Sequence, residues 1–382
     1  MRRNVALLFG GRSAEHEVSI VSAGNVARAL DPDRYAVTPI AIDKETGAWR
    51  LCPPLAPGEA PAMVREGPRV AFLPGGGGRL AVLGETASVS EPFDVVVPVL
   101  HGPNGEDGTV QGALDLAGVP YVGSGVIGSA AAMDKDVAKR LMRDAGLPIV
   151  PYLVAGPRRG VAYTEAVEAL ESRTLFVKPA NMGSSVGVSR VADAGQFDQA
   201  LAHAFAYDEK ILIERAVPRA REIEFAVLET AEGEVRVSPP GEIAPAAAHG
   251  FYGYDAKYVD PDGAALLIPA SLAPALAERM GGLAARAFEA LACAGLARVD
   301  LFLDPDDPEG IFVNEVNTLP GFTAISMYPK LWDAAGLAPP ALMDALIAHA
   351  LARHARAVAT GRAAPRSAAD AAWAPMRESI SR

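Results

Sequence analysis

The sequence predicts an α/β protein of more than one domain, and three observations carry that expectation. A short apolar run at residues 4–9 (NVALLF) leads into Gly10-Gly11, a helical stretch spans 18–30, and a second apolar run covers 36–42. Strand, glycine turn, helix and strand is the opening of a layered α/β domain. Near the other end, residues 298–303 and 311–317 are apolar runs joined by the polar turn DPDDPEG, which predicts an antiparallel strand pair. The length, 382 residues, corresponds to two or three domains at roughly 100–200 residues each.

Composition narrows the partners. Lysine and arginine total 35 against 46 aspartates and glutamates, a formal charge of −11, which argues against a nucleic-acid or anionic-membrane surface as the main partner. Two cysteines, Cys52 and Cys293, make no disulfide framework and match no zinc spacing, so a reducing compartment, the cytoplasm, is expected. Met1-Arg2-Arg3 is basic, but the apolar run behind it stops at Phe9, too soon for a signal peptide. No stretch approaches the roughly 18 apolar residues of a membrane span, so a soluble protein is expected.

The elements follow in order. Asp31-Pro32-Asp33 ends the first helix. Residues 53–78, rich in Pro and Gly and closing with four glycines, suggest a surface excursion. Residues 93–100 (FDVVVPVL) form a buried strand running into His101-Gly102, and a first domain, 1–130, closes after it. Residues 134–145 are helical, 175–178 begin a strand followed by a Gly/Ser loop, and 211–214 (ILIE) form another strand, giving a middle domain at 131–218. The third part, 219–358, opens with loose alternation at 222–228 and continues with an alanine-rich helix at 272–291. The strand pair comes next, and a helix at 340–358 closes it. Residues 359–382, Ala, Arg, Ser and Pro without periodicity, are expected to be a disordered tail.

Chemistry concentrates in four places. Side chains two apart on a strand share a face, so Glu315 and Asn317 are expected to point together, on the side of Ile311 and Val313, and Arg298 and Asp300 to share a face of the preceding strand. If the strands pair, two carboxylates and an amide oxygen converge beside a guanidinium, a hard-oxygen set suited to Mg²⁺ and substrate phosphates. Two surface strands with one solvated face fit that pattern equally well. Lys178 ends a strand ahead of the loop PANMGSSVG, whose N–H groups and hydroxyls can donate to phosphate oxygens. The lysine precedes the glycines, so this is not a Walker A loop, and a mobile hairpin turn is the competing reading. Lys135, in Met133-Asp134-Lys135, opens the preceding helix, where most lysines are simply solvated. The loops HGPNGEDG at His101 and Gly10-Gly11-Arg12-Ser13-Ala14-Glu15 both follow apolar strands, the place where open sheets bind ligands.

Taken together, these residues resemble the D-alanine:D-alanine ligase family. The similar segments are Gly10-Gly11 with Ser13-Ala14-Glu15 and Glu17-Val18-Ser19, HGPNGEDGT, Met133-Asp134-Lys135, and Lys178-Pro179 with GSSVGV. Ala256-Lys257-Tyr258, Arg298-Val299-Asp300 and NEVNTLPGFT complete them, in family order over residues 4–336. The resemblance implies a three-domain ATP-grasp ligase with an N-terminal open α/β (pre-ATP-grasp) domain. It implies ATP-dependent joining of two D-alanines through an acyl phosphate for peptidoglycan precursor synthesis, with ATP as co-substrate, two Mg²⁺ (or Mn²⁺), and a homodimeric enzyme. By the same resemblance Lys135, Lys178 and Lys257 bind phosphates, and Asp300, Glu315 and Asn317 are metal ligands, with Glu315 bridging. Arg298 and the N–H of Gly321 stabilise an oxyanion. Glu15 holds the first D-alanine's ammonium with His101 nearby, and Ser326 holds the second one's carboxylate. Glu214, Val217 and Glu222 line the adenine and ribose side. Ser184 and Tyr258 join Glu15 in a hydrogen-bonded set that closes a loop over the site.

The sequence also departs from the family's pattern. Arg215 stands where some members carry Lys, an extra residue at Arg219-Ala220 leaves Glu224 as an alternative to Glu222, and Gly253 and Pro245-Ala246-Ala247-Ala248-His249 make a bland lid tip. Two other functions are kept beside the first: the same fold with D-lactate or D-serine as acceptor, where by the resemblance an intact Tyr258 argues for an amine acceptor over D-lactate, and a non-catalytic nucleotide-binding regulator. The latter would be expected to have lost a metal ligand or Arg298, and this chain keeps them.

Overall fold

The computed structural model describes residues 2–64, 66–83, 87–245, 264–307, 309–365 and 368. Three sheets succeed one another along the chain. The first begins with β1 (Arg3–Gly10), α1 (His16–Ala29) and β2 (Tyr35–Ile42), then adds the short strands β3 (Trp49–Leu51), β4 (Arg69–Phe72), β5 (Leu80–Leu83) and β6 (Ser88–Val89) before β7 (Val95–Val99). Its order is β6-β5-β4-β3-β2-β1-β7, with β2, β1 and β7 parallel and the others antiparallel. Both faces of β1 are covered, Val5, Leu7 and Phe9 by one apolar cluster and Ala6 and Leu8 by another. That double burial is why β1 is a continuous apolar run rather than an alternating one. The loops after β1 and β7 therefore leave the sheet at the same end, carrying Glu15 and His101.

Helices α2 (Thr109–Ala117), α3 (Val126–Met133) and α4 (Lys135–Asp144) lead to the second sheet. It comprises β8 (Tyr152–Ala155), β9 (Leu175–Pro179), β10 (Ser189–Val191) and β11 (Ile211–Arg215), antiparallel in the order β10-β9-β11-β8. Helices α5 (Tyr163–Leu170) and α6 (Ala194–Phe205) cover one face, with Ala166, Leu170, Phe197 and Ala200 packed on Val177, Ile211 and Ile213. The other face carries Lys178 and Glu214, which are paired neighbours of Leu212 and Phe176 across β9 and β11.

The third sheet holds β12 (Arg221–Glu229), β13 (Val235–Val237), β14 (Gly241–Pro245), β15 (Ala264–Leu267), β16 (Leu296–Leu303) and β17 (Ile311–Asn317), ordered β15-β14-β12-β16-β17 with β13 on β12. Ile223, Phe225, Val227, Val299 and Leu301 bury against Met280, Leu283, Ala287 and Phe288 of α7 (Pro274–Ala290). On the opposite face Ala226 and Leu228 meet α8 (Met327–Ala334) and α9 (Pro339–Ala359), while Glu222, Glu224, Arg298 and Asp300 take the remainder. Helix α9 also packs Leu342, Met343, Leu346 and Ile347 into the cluster that covers β1. Among the described residues no single helix is long and apolar enough to cross a membrane.

Two expectations are corrected. The excursion at 53–78 contains β4, with Val70 buried, and its glycine run is tied down by Gly75 N–H to Leu116 O at 2.8 Å and Gly77 N–H to Ala117 O at 2.9 Å. A four-residue strand is too short for its alternation to stand out among Pro and Gly. The second correction concerns β17. Leu301 pairs with Val313 but Asp300 pairs with Glu315, so Asn314 is an extra residue, a β-bulge. Ile311, Val313 and Val316 all bury in the α7 cluster, and Glu315 and Asn317 lie on the face opposite to Ile311 and Val313. Parity counting fails at a bulge because one added residue reverses every side chain beyond it. The closing helix runs to Ala359, and the tail expectation falls mostly outside the described residues.

Deleting Asn314 is expected to abolish folding, because it would drive Glu315 and Asn317 into the apolar cluster and Val316 out of it. Asn314→Ala keeps the extra residue and should fold. Circular dichroism and solubility of both variants check this, and a folded deletion variant would contradict it.

Candidate active site

The polar face of β16 and β17 is built pair by pair. Asp300 is registered against Glu315 and Arg298 against Asn317, and on the other side of β16 Glu224 is registered against Asp300. Directly paired residues sit with Cβ atoms about 5 Å apart. Three carboxylates are thus side by side, and Arg298 answers them: Nε and Nη2 donate to Asp300 Oδ1 and Oδ2 at 2.7 and 2.6 Å, and Nε lies 3.2 Å from Glu224 Oε2. Burial works against the Arg298 charge, but Asp300 and Glu224 outweigh it and hold its pKa well above the usual value.

These residues fit a divalent cation. Asp300, Glu315 and Asn317 supply two carboxylates and an amide oxygen on one face of a rigid strand pair. Among the described residues no group of three or more His, Cys, Asp or Glu is placed to hold a metal ion. The donor set therefore suits an ion that keeps few protein ligands and completes its shell with water and phosphate oxygens, as Mg²⁺ does. The Leu319 N–H donates to Asn317 Oδ1 at 3.1 Å, orienting that amide.

Lysines arrive from α4 and from β9 of the second sheet. Asp134 caps α4, accepting from the N–H of Asp136 and Val137 at 3.1 Å each, and so fixes Lys135 at the first helical position. Lys135 Nζ donates to Met182 O at 2.7 Å and lies 3.8 Å from Glu315 Oε2, and burial pulls its pKa down. Its contact with Met182 anchors the glycine/serine loop, in which Ser184 and Ser185 take φ of 53° and 59°. Such left-handed backbone is uncommon for residues with side chains and is held here by its surroundings. Lys178 Nζ sits 2.7 Å from Glu214 Oε2 and Lys139 Nζ 3.1 Å from Oε1. Burial pushes Glu214 up, but the two lysines prevail and hold it below the ordinary carboxylate range.

The first domain supplies the opposite wall. His101 is buried, and burial lowers its pKa, so the ring is neutral. With Nδ1 at 3.0 Å from Leu319 O, that nitrogen carries the proton, leaving Nε2 as an acceptor, buried and without a hydrogen-bond partner among the described residues. Glu15 is close to the serine loop, since a Cβ on Gly183 would lie 3.3 Å from its Oε2. On the far side Ser326 Oγ is 2.9 Å from the Thr323 N–H, and a Cβ on Gly321 would lie 2.7 Å from it. Only glycine leaves that hydroxyl room.

Two connected cavities result. The larger, about 1220 Å³, is lined by Lys135, Lys178, Ser184, Glu214, Val217, Glu222, Arg298, Asp300 and Glu315. The smaller, about 170 Å³, is lined by Glu15, His101, Lys135, Ser184, Arg298, Glu315, Asn317, Gly321 and Ser326. They share Lys135, Ser184, Arg298 and Glu315. A large chamber lined by lysines thus adjoins a small one, with Glu315 and Arg298 on the wall they share. Glu222 faces the larger cavity opposite Phe302, whereas Glu224 is committed to Arg298. Lys257, Tyr258 and Gly253 lie outside the described residues.

The family profile described as "D-ala D-ala ligase N-terminus" matches residues 4–124, and the one described as "D-ala D-ala ligase C-terminus" matches residues 141–348. The chain belongs to the D-alanine–D-alanine ligase family. It is 58% identical to a D-alanine–D-alanine ligase of Bradyrhizobium sp. (strain ORS 278) over 93% of this chain and 97% of that one. It is 44% identical to D-alanine–D-alanine ligase A of Escherichia coli O6:H1, over 92% and 96%. Its fold is that of the ATP-grasp ligases: the D-alanine–D-alanine ligase structure from Coxiella burnetii superposes with a TM-score of 0.80 at 33% identity, covering 94% of this chain and 97% of that one. A D-Ala:D-Ser ligase from Enterococcus faecalis superposes with a TM-score of 0.78 at 30% identity, covering 92% and 100%.

Three residues of the site are absent from the sequence expectations: Glu224 as a partner of Arg298, Lys139, and Glu106. Lys139 reads as an ordinary helix lysine until its burial is known, and nothing in the sequence separates it from Arg140. Glu106 stands five residues after His101 in the same Gly-rich loop, which was the available signal. Glu106 Oε1 accepts from the Gly102 N–H at 2.8 Å, and burial, with the charge of Glu15 adding to it, pushes its carboxyl up to about 8.

Glu106 therefore binds its proton more tightly folded than unfolded, where it titrates near about 4.3. The stabilisation is complete at acid pH and is lost as pH rises from about 5 through about 8. Glu106→Gln is expected to flatten the fall of Tm between those values relative to the parent chain. Thermal denaturation of both proteins across that range checks it, and parallel curves would contradict the assignment.

Proposed function

We propose that the chain joins two D-alanine molecules into D-alanyl-D-alanine with ATP, releasing ADP and phosphate. The supporting observation is the junction of the two cavities, where Arg298, Lys135 and the Asp300–Glu315 pair meet between a nucleotide-sized and an amino-acid-sized chamber. In the first step a D-alanine carboxylate oxygen attacks the γ-phosphorus of ATP, and the bond to the β-phosphate oxygen breaks, giving D-alanyl phosphate and ADP. In the second, the amine of another D-alanine, having lost a proton, attacks the acyl carbon, and the C–O bond to phosphate breaks.

Each residue's part follows from its chemistry. Lys135, Lys178 and Lys257 bind the phosphates, and Glu214, Val217 and Glu222 the adenosine. Glu15 accepts from the ammonium of the first D-alanine, and the unprotonated Nε2 of His101 is a second acceptor beside it. Asp300, Glu315 and Asn317 would hold two Mg²⁺ or Mn²⁺, which supply neutralisation of the phosphate charge when bound. Arg298 and the Gly321 N–H donate to the oxygen that becomes negative as the amine adds. Ser326 donates to the carboxylate of the second D-alanine. Ser184 and Tyr258 would join Glu15 in a hydrogen-bonded set that closes a loop over the site and keeps water from the acyl phosphate. The work is positioning and charge neutralisation, which is what phosphoryl transfer requires. We place this activity in the cytoplasm, in a homodimer, supplying the dipeptide for peptidoglycan.

A second acceptor remains in play, because the Enterococcus faecalis D-Ala:D-Ser ligase shares the fold. Tyr258 favours an amine acceptor over D-lactate. Phosphate release with ATP and Mg²⁺, measured with D-alanine alone and then with D-lactate or D-serine added, decides between them. D-alanyl-D-alanine is the expected product, and no turnover under any condition would overturn the enzyme reading. Glu315→Gln is expected to leave a few percent of the activity or less while the protein remains folded.

A further inference from the structure

Glu214 is held by two lysines where one would balance its charge. Lys178 takes Oε2 and lines the larger cavity with it, whereas Lys139, on α4, approaches Oε1 from behind and is fully buried at 0% exposure. Lys139 has the Tyr152 ring 5.8 Å away and does not line either cavity of the site. A buried ammonium is costly to keep, and this one reaches no substrate. What it does reach is the carboxylate that faces the nucleotide.

We propose that Lys139 is a positioning residue that sets purine selectivity, by keeping Glu214 an ionised, acceptor-only group on the wall of the nucleotide cavity. The inference rests on the reading of that cavity as the ATP site. An ionised carboxylate accepts hydrogen bonds and donates none, whereas a protonated carboxylic acid can donate. At the matching edge adenine presents its exocyclic amine, a donor, and guanine a carbonyl oxygen, an acceptor. An ionised Glu214 therefore welcomes adenine and repels guanine, and a neutral one loses the distinction. Lys178 cannot guarantee ionisation by itself, since it also faces the cavity and its charge is shared with a bound polyanion. Lys139 is screened from the nucleotide and answers only to Glu214. The lowered pKa of Glu214 agrees with this arrangement.

The test is steady-state nucleotide-dependent phosphate release by the full chain with D-alanine and Mg²⁺, using ATP and GTP in turn. The parent chain is read first: absence of ATP turnover there overturns the reading of the cavity, not the role of Lys139. Lys139→Met is expected to raise KM for ATP about tenfold with little change in kcat, and to lower the ATP-over-GTP ratio of kcat/KM by about tenfold or more. An ATP-over-GTP ratio unchanged within about twofold overturns the proposal, because a merely structural lysine would lower both nucleotides alike. Should Lys139→Met fail to fold, Lys139→Gln, which removes the buried charge but leaves Glu214 and a polar side chain in place, carries the same expectation and the same overturning result.

Discussion

Asp300 and Glu315 sit directly across from one another on adjacent strands, with Glu224 beside them. Like charges paired on a sheet repel, and burial magnifies the repulsion. Much of what surrounds them answers this problem. Arg298 grips Asp300 with two hydrogen bonds and reaches Glu224, and Lys135 approaches Glu315 from the start of α4. The same Lys135 also pins the serine loop through Met182 O, so the counter-charge and that loop are positioned by one side chain. A site assembled from mutually compensating charges is suited to a reaction whose substrates carry several negative charges and whose transition states move them.

The formal charge of −11 describes the exterior, and the site has its own balance. Lys135, Lys139, Lys178 and Arg298 gather around Glu214, Glu224, Asp300 and Glu315 in a space largely shielded from bulk water. Net charge excluded a polyanionic surface partner without bearing on a polyanion taken into a cleft. The buried acids and bases are not interchangeable there: Glu106 keeps its proton at neutral pH, whereas Glu214 is stripped of it. The difference is the neighbours, an anionic Glu15 in one case and two lysines in the other.

Much of this was legible in the residues. The first strand, glycine turn and helix, the C-terminal strand pair and the shared face of Arg298 and Asp300 all follow from apolar runs, turn residues and local alternation, because those elements are long enough to stand out. Short strands such as β4 and β5 escaped it, having too few residues for a period to show. The face of Glu315 was misread relative to Ile311 because Asn314 looks like any other strand residue until its partner is known. Lys139 and Glu224 were missed for a related reason: burial and cross-strand partners are properties of the fold, and a lysine or glutamate carries no local mark of either. The family resemblance supplied the roles that spacing could not, and residues outside the family's motifs stayed invisible to it.

Helix α9 has a consequence for how the molecule is made. Leu342, Met343, Leu346 and Ile347 complete the same apolar cluster as Val5, Leu7 and Phe9, and Asn25 and His101 reach the carbonyls of Phe322 and Leu319. These contacts join distant parts of the chain, the two hydrogen bonds spanning 297 and 218 residues, and loops of that length are costly to close. A chain emerging from the ribosome holds the face of its first strand open until nearly the last helix has been synthesised. The ligand-binding chambers cannot exist on a partial chain, and truncation within α9 should yield aggregation through that open face rather than a weakened catalyst.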